Sequence, residues 1–389
     1  MAQISLRLQY ALWIFLCVCY VLLAFSPLLS FICALCVLFG AYCVLSSPMR
    51  ISLGVCIILS GSIIYASRVY FHWEGDDFIR YFQAYSLLAR EGFGHINIYG
   101  LEAGLPLFYM ALVGLFGELS PAGVLFWTIL FPSVLFLVWL EQYAMKHLDN
   151  ANKALCVFFT FLFFDFYIPT EYTRQCISSI FILYALCVKG AFWRYAHIIF
   201  ALCFHLSAIL LLPPLFMLKK YPKFTLLACF GLVVVLSLSF AWLLGLWQMG
   251  IISRDTPLFN KLGFYALGFG DFRPNVIELF FITFLGALFL IPSDDSHKKQ
   301  WRYFVWLFIM LYFSLYLVSG GIAHRATLLL STILLGFLLF MGFRGFMMCA
   351  LGFGGLCFIY KCKVLLFGNN AYELWHSYPA YGGWFYYLF

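Results

Sequence analysis

The residues of this chain whose types suit chemistry are Asp77, Tyr81, Glu102, Glu171, Arg174, His205, Arg254, Arg273 and Arg325. Arginine presents a planar fork of donors that grips phosphate oxygens in pairs, so Arg174, Arg254, Arg273 and Arg325 point to a diphosphate ligand. A carboxylate beside such a ligand can take the proton from a hydroxyl as a general base, and Asp77 is the candidate. Glu171, Arg174 and His205 lie in or beside Pro169–Pro214, a stretch otherwise apolar enough for a lipid bilayer. A polar group there costs several kcal/mol unless something satisfies it. Each of the three therefore calls for a partner.

The elements that must position them are set by composition. The chain has 389 residues, of which 65% are hydrophobic and 10% charged, against about 25% charged in soluble domains. This is the composition of an integral membrane protein, and it leaves no room for a separate soluble domain. The 47 Phe, 25 Tyr and 11 Trp suit lipid-facing surface and interfacial belts. The net charge of +7 is spread over short loops with no basic block, which excludes nucleic acid as a partner and reads as topology information. Most of the 14 cysteines fall inside apolar runs and behave as small hydrophobes; the near metal-like spacings Cys17-x-Cys19 and Cys33-x-x-Cys36 lack a polar surround and are read as packing. The first apolar run leads directly into a second, so it is read as a span and not as a cleavable signal peptide.

A spanning helix needs about 20 mainly apolar residues. On that measure spans are expected near 8–25, 28–45 and 51–70, with Arg7 and Arg50 holding the amino terminus and second turn in the cytoplasm. An outer loop over 71–104 follows. Within it Asp77, Tyr81, Tyr85 and Leu88 fall on one face of an amphipathic helix expected to lie along the membrane surface. A short apolar segment (105–119), spans at 121–140 and 154–168, an external turn at 167–173 and a span at 174–188 come next. Asp165 is expected to pair with an arginine. The apolar run 195–218 has basic residues at both ends, Arg194 before it and Lys219, Lys220 and Lys223 after it. One crossing cannot keep both ends inside. Two half-helices meeting near His205, a re-entrant pair over 194–218, satisfy the rule and place His205 on the floor of a cavity; a single bent crossing is the alternative. Beyond it the reading gives a span at 224–249, an outer loop at 250–274, a span at 275–291 and a cytoplasmic loop at 294–302. A span at 303–318, an external turn at 319–325, a span at 326–343 and a segment at 346–360 lead to an aromatic tail, 361–389. The fold class is an all-α polytopic membrane protein, one integral membrane domain with about 11–13 transmembrane or re-entrant helices.

That topology collects Asp77, Tyr81, Glu102, Glu171, Arg174, Arg254, Arg273 and Arg325 on the non-cytoplasmic side. Guanidinium groups beside carboxylates at one membrane surface describe glycosyl transfer from a lipid-linked diphosphate donor. Each residue also has a structural reading. Asp77 can cap its helix, Arg174 can snorkel to headgroups, Arg254 and Arg273 can pair with Asp255 and Asp271, and His205 can bond a backbone carbonyl.

The motifs resemble the EpsG family and, more loosely, Wzy-type polymerases of bacterial surface polysaccharides. They are Asp77-x3-Tyr81, Glu102-x-Gly104, Arg174-Gln175 opening a helix, Phe204-His205-Leu206-Ser207-Ala208 followed by Pro213, and Arg325. Ser178-Ser179 stands where that family usually has alanine. The resemblance implies a GT-C-like polymerase of undecaprenyl-diphosphate-linked oligosaccharide repeat units, acting at the outer face of the bacterial inner membrane. It implies no cofactor and no metal, with a flippase and a chain-length regulator as partners. Arg174 and Arg325 become diphosphate or glycan ligands, Asp77 the base and His205 part of the cavity floor. Arg254, Arg273, Tyr81, Glu171 and Glu102 complete the expected substrate contacts. Two other readings are a polyprenyl-phosphate-dependent glycosyltransferase, which adds single sugars, and a lipid-linked oligosaccharide flippase or other transporter, which does no chemistry.

Overall fold

The computed structural model describes residues 2–67, 77–249, 276–293, 295–316 and 320–367. Among them are seventeen α-helices and no strand, as expected of an all-α polytopic membrane protein. In lipid only a helix or a closed barrel can satisfy its own backbone, so apolar runs this long become helices. Four are long and apolar enough to cross a membrane: Arg7–Phe25, Ser47–Ala66, Pro121–Ala144 and Met347–Phe367. A bent pair, Gly320–Ile333 with Leu335–Phe343, makes a fifth when taken as one span, and seven shorter apolar helices accompany them.

The chain forms two compact units. The first, Met1–Ile209 with Met348–Phe389, holds α1 (Ala2–Phe25), α2 (Pro27–Gly40), α3 (Ser47–Ala66), α4 (Asp77–Glu91), α5 (Gly104–Phe116) and α6 (Pro121–Trp139). It continues with α7 (Asn150–Phe163), the single turn α8 (Ile168–Glu171), α9 (Thr173–Cys187) and α10 (Ala191–Phe204), and closes with α17 (Met347–Phe367). Buried hydroxyls join the first three helices: Ser30 Oγ donates to the Cys19 carbonyl at 2.8 Å, and Ser60 Oγ donates to Ser30 at 3.0 Å. Arg50 is buried. It forms a two-pronged pair with Glu141, Nε to Oε1 at 2.9 Å and Nη2 to Oε2 at 2.8 Å. Glu141 sits in a π-helical turn, Leu140–Ala144, that extends α6.

The amphipathic helix α4 covers Asp77–Glu91. Its apolar face is covered by protein. Phe78, Tyr81, Tyr85 and Leu88 pack with Leu105, Tyr109 and Leu112 of α5 and with Leu119, Val124 and Leu125. The Tyr85 hydroxyl donates to the Gly117 carbonyl at 3.0 Å and accepts the Leu119 N–H at 2.8 Å, pinning α4 to the turn between α5 and α6. That turn passes through Gly117 at φ +75°, a backbone other residues rarely adopt.

The second unit, Leu210–Met347, holds α11 (Ala208–Lys220, from Leu210 on), α12 (Pro222–Gln248), α13 (Val276–Leu290), α14 (Ser296–Tyr316), α15 (Gly320–Leu328) and α16 (Leu335–Phe343). Three sequence expectations need correction here. Residues expected as a cytoplasmic loop, 294–302, mostly form the first turns of α14. Asp295 caps that helix by accepting the His297 N–H at 2.9 Å and pairs with Arg344 at 2.6 Å. Lys298, wholly buried, donates to the Gly342 carbonyl at 2.6 Å. Charges that find such partners need not stand in water, so a charged composition here does not make a loop. Residues expected as an external turn, 319–325, are helical from Gly320, placing His324 and Arg325 inside α15, where His324 Nδ1 lies 2.9 Å from Glu278 of α13. The expected span 326–343 is interrupted by a π-helical turn, Leu329–Ile333, and bends by 59° before α16. The last helix reaches Phe367, so the expected tail 361–389 begins inside α17; its remainder lies outside the described residues, as do the outer loop 250–274 and residues 71–76.

Candidate functional site

Two separate stretches of the first unit, the start of α9 and the end of α10, converge on Glu102. The carboxylate lies just before α5, at the end of a turn that follows α4 and a short 3-10 helix, Gly92–His95. Gly104 lets that end of α5 approach α10 closely. A Cβ there would stand 2.9 Å from the Phe204 backbone nitrogen and 2.9 Å from its ring. The spacing Glu102-x-Gly104 is thus a geometric requirement: the glycine brings the chain in, and the glutamate two residues earlier meets the end of α10.

At that end the helix breaks. His205 takes an extended backbone (φ −156°, ψ 121°), and α11 begins only at Ala208. The interruption expected at this histidine is therefore present. Glu102 Oε1 lies 2.8 Å from His205 Nδ1 and accepts the Leu206 N–H at 2.9 Å. Glu102 Oε2 forms a close ion pair with Arg174 Nη1. Arg174 opens α9, and α9 is fastened to α10 by Ser178, whose hydroxyl donates to the Ala201 carbonyl at 2.8 Å. That carbonyl also accepts the His205 N–H at 2.9 Å. Ser178 therefore ties the arginine's helix to the histidine's.

The electrostatics follow from this packing. Burial pushes the Glu102 carboxyl upward, but the hydrogen bonds from His205 and Leu206 and the charge of Arg174 outweigh it. The carboxyl is held below the usual range and is ionised at neutral pH. Two tyrosines face the guanidinium: Arg174 lies 4.5 Å from the Tyr99 ring centroid and 5.8 Å from that of Tyr81. Burial, with Tyr81 beside it, raises the Tyr99 phenol far above its usual range against the opposing effect of Arg174. Asp77 adds to that rise, which puts its carboxylate within electrostatic reach of Tyr99. The side chains of Arg174 and His205 keep 27% and 28% of their surface open, whereas that of Glu102 keeps 9%. The acid is the buried anchor, and the two basic groups face outward from it.

The sequence-selected residues separate clearly. Glu102, Arg174, His205 and Tyr81 come together, with Asp77 one helical turn before Tyr81. Glu171 accepts the Tyr167 hydroxyl at 2.8 Å in α8. Asp165 accepts the Tyr167 N–H at 3.0 Å rather than pairing with an arginine among the described residues. Arg325 belongs to the second unit, and Arg254 and Arg273 lie outside the described residues. Tyr99 and the Leu206 N–H are additions that the sequence does not announce. One is an ordinary loop aromatic and the other a backbone group, so neither carries a signal before the turn and the helix break are known. The Glu278–His324 pair is likewise silent in sequence because its members are 46 residues apart. Among the described residues no cluster has the make-up of a metal site.

Residues 53–362 match the EpsG family. No curated protein matches the chain, and no solved structure does.

Proposed function

The chain belongs to the EpsG family, whose members are Wzy-type polysaccharide polymerase-like membrane proteins, and from that premise we propose that it joins lipid-linked oligosaccharide repeat units into a polysaccharide. The donor in this reading is an oligosaccharide on undecaprenyl diphosphate, at the outer face of a bacterial inner membrane. The growing chain passes from its lipid diphosphate to the terminal sugar of a new unit. The observation that carries the reading is the meeting of Arg174 and His205 on one buried carboxylate, Glu102. A guanidinium held on an aromatic pair, partly open, suits a diphosphate oxygen. Tyr81 and Asp77 border the same place and are assigned to the sugar. Arg325, Arg254 and Arg273 are proposed as further donor contacts, and Glu171 as a support for the α8 turn. The basic residues at both ends of 194–218 support a re-entrant course there, with both ends cytoplasmic. A flippase that delivers repeat units and a regulator of chain length would be the natural partners.

The test is the surface glycan ladder of the source cells. Deletion should leave product of one repeat unit, and Arg174→Ala should do the same while the protein remains in the membrane. Arg174→Lys should restore little, because a point charge replaces a fork. An unchanged ladder after deletion would remove the polymerase reading. A truncated or missing repeat unit would favour a single-sugar glycosyltransferase. Repeat units trapped at the inner face would favour a flippase.

A further inference from the structure

We infer that Glu102 is the positioning residue of a carboxylate–histidine pair in which Nε2 of His205 takes the proton from the acceptor sugar's hydroxyl. This rests on the polymerase reading above. It assigns the base to His205 in place of Asp77 and makes Glu102 an internal support, not a substrate ligand.

The argument begins with proton placement. An ionised carboxylate can only accept hydrogen bonds, so the 2.8 Å contact requires His205 to carry its proton on Nδ1. The other ring nitrogen, Nε2, is then an acceptor whenever the ring is neutral, and it has no partner among the described residues. Of the common side chains, histidine has the ordinary range nearest neutral pH, which suits it to take and return a proton in one cycle. An Asp that fixes a catalytic histidine's tautomer in hydrolases works by the same rule.

The second oxygen of Glu102 adds a constraint that a simple pair would lack. Oε1 holds the ring and the Leu206 N–H, while Oε2 holds Arg174. One rigid group therefore fixes the separation of the base from the phosphate grip. This geometry suits an acceptor hydroxyl and a departing diphosphate on one reacting carbon. The hydroxyl proton moves to Nε2, and the oxygen's electron pair forms the bond to the anomeric carbon. That carbon's bond to the diphosphate oxygen breaks, and its electron pair leaves on the lipid diphosphate, where Arg174 meets the charge. The imidazolium then gives its proton to water or to the departing diphosphate. The positive charge formed on the ring is stabilised by Glu102, which is the second reason for an ionised carboxylate there.

The experiment uses the full chain in proteoliposomes, with lipid-linked repeat units extracted from source cells lacking this protein as the probe. His205→Asn keeps a donor toward Glu102 but has no Nε2, so kcat should fall by about 10²–10⁴ with KM within a few-fold and the melting temperature unchanged. Glu102→Gln should also lose turnover by at least about 10², and combining it with His205→Asn should cost no more than His205→Asn alone. Added imidazole should restore part of the turnover of His205→Ala and none of that of Glu102→Gln, whose ring is present but wrongly set. The inference is overturned if His205→Asn keeps more than a tenth of wild-type turnover, if imidazole leaves a folded His205→Ala unchanged, or if the paired losses multiply. A wild-type protein that fails to lengthen the extracted units would remove the polymerase reading itself, and this inference with it.

Discussion

Gly104→Ala adds one methyl group at the point where α5 meets the break after α10. The new Cβ would lie 2.9 Å from the Phe204 nitrogen and from its ring atoms, where ordinary contact begins at 3.4 Å. A ring can turn aside, but a backbone nitrogen inside a helix cannot, so α5 must withdraw by about 0.5 Å. Overpacking of this kind costs about 1–3 kcal/mol. Glu102, two residues before the methyl, is carried with it. Its contacts to His205 Nδ1 and the Leu206 N–H, now 2.8 and 2.9 Å, would stretch past the favourable range. A displacement of about 1 Å at a catalytic group costs roughly 10²-fold, so half of it should lower kcat by roughly tenfold. The assay measures turnover of lipid-linked repeat units alongside thermal melting in the same detergent. Phe204→Leu in the same chain should relieve only part of the loss, because the backbone contact remains. Wild-type turnover and melting in Gly104→Ala would refute the claim that close approach at this glycine sets the position of Glu102.

Tyr85→Phe removes a hydroxyl that serves both the Gly117 carbonyl and the Leu119 N–H, and should destabilise the protein by about 1–3 kcal/mol in denaturant unfolding. Arg50→Ala leaves Glu141 without its two-pronged partner and should cost about 3–5 kcal/mol, read in the same unfolding experiment. Arg50→Met combined with Glu141→Leu should be much milder. The depressed carboxyl of Glu102 gives a pH signature whose sign is fixed: its stabilisation is fully present above the unfolded value of about 4.3 and is lost as pH falls through the lower folded value. The melting advantage of wild type over Glu102→Gln should therefore hold from pH 7 to about 4.5 and fade below it. A gap that closes near pH 6 would contradict this.

Local pattern alone dictates a definite part of this protein. Long apolar runs must hide their backbone in helices, so the all-α membrane fold follows from composition. The face of α4 follows from the spacing of Asp77, Tyr81, Tyr85 and Leu88. The interruption at His205 is readable from basic residues at both ends of one apolar run, since a single span cannot satisfy both. The prominence of Arg174, His205 and Glu102 is likewise readable, because charges in apolar surroundings stand out. Tertiary structure alone decides which of them meet. Glu102 is 72 residues from Arg174 and 103 from His205, and no local rule links them. By sequence distance Glu171, in the turn just before α9, is the nearer acid for Arg174. The choice of Glu102 depends on the close approach at Gly104 and on the N–H freed by the helix break at Leu206. The same physics explains the corrected expectations. Arg50 and Lys298 have the look of surface charges in sequence, but each is buried against a partner that only the folded chain brings near: the Glu141 carboxylate for one, the Gly342 carbonyl for the other. A charge reveals in sequence that it needs a partner; the partner's identity is settled by packing.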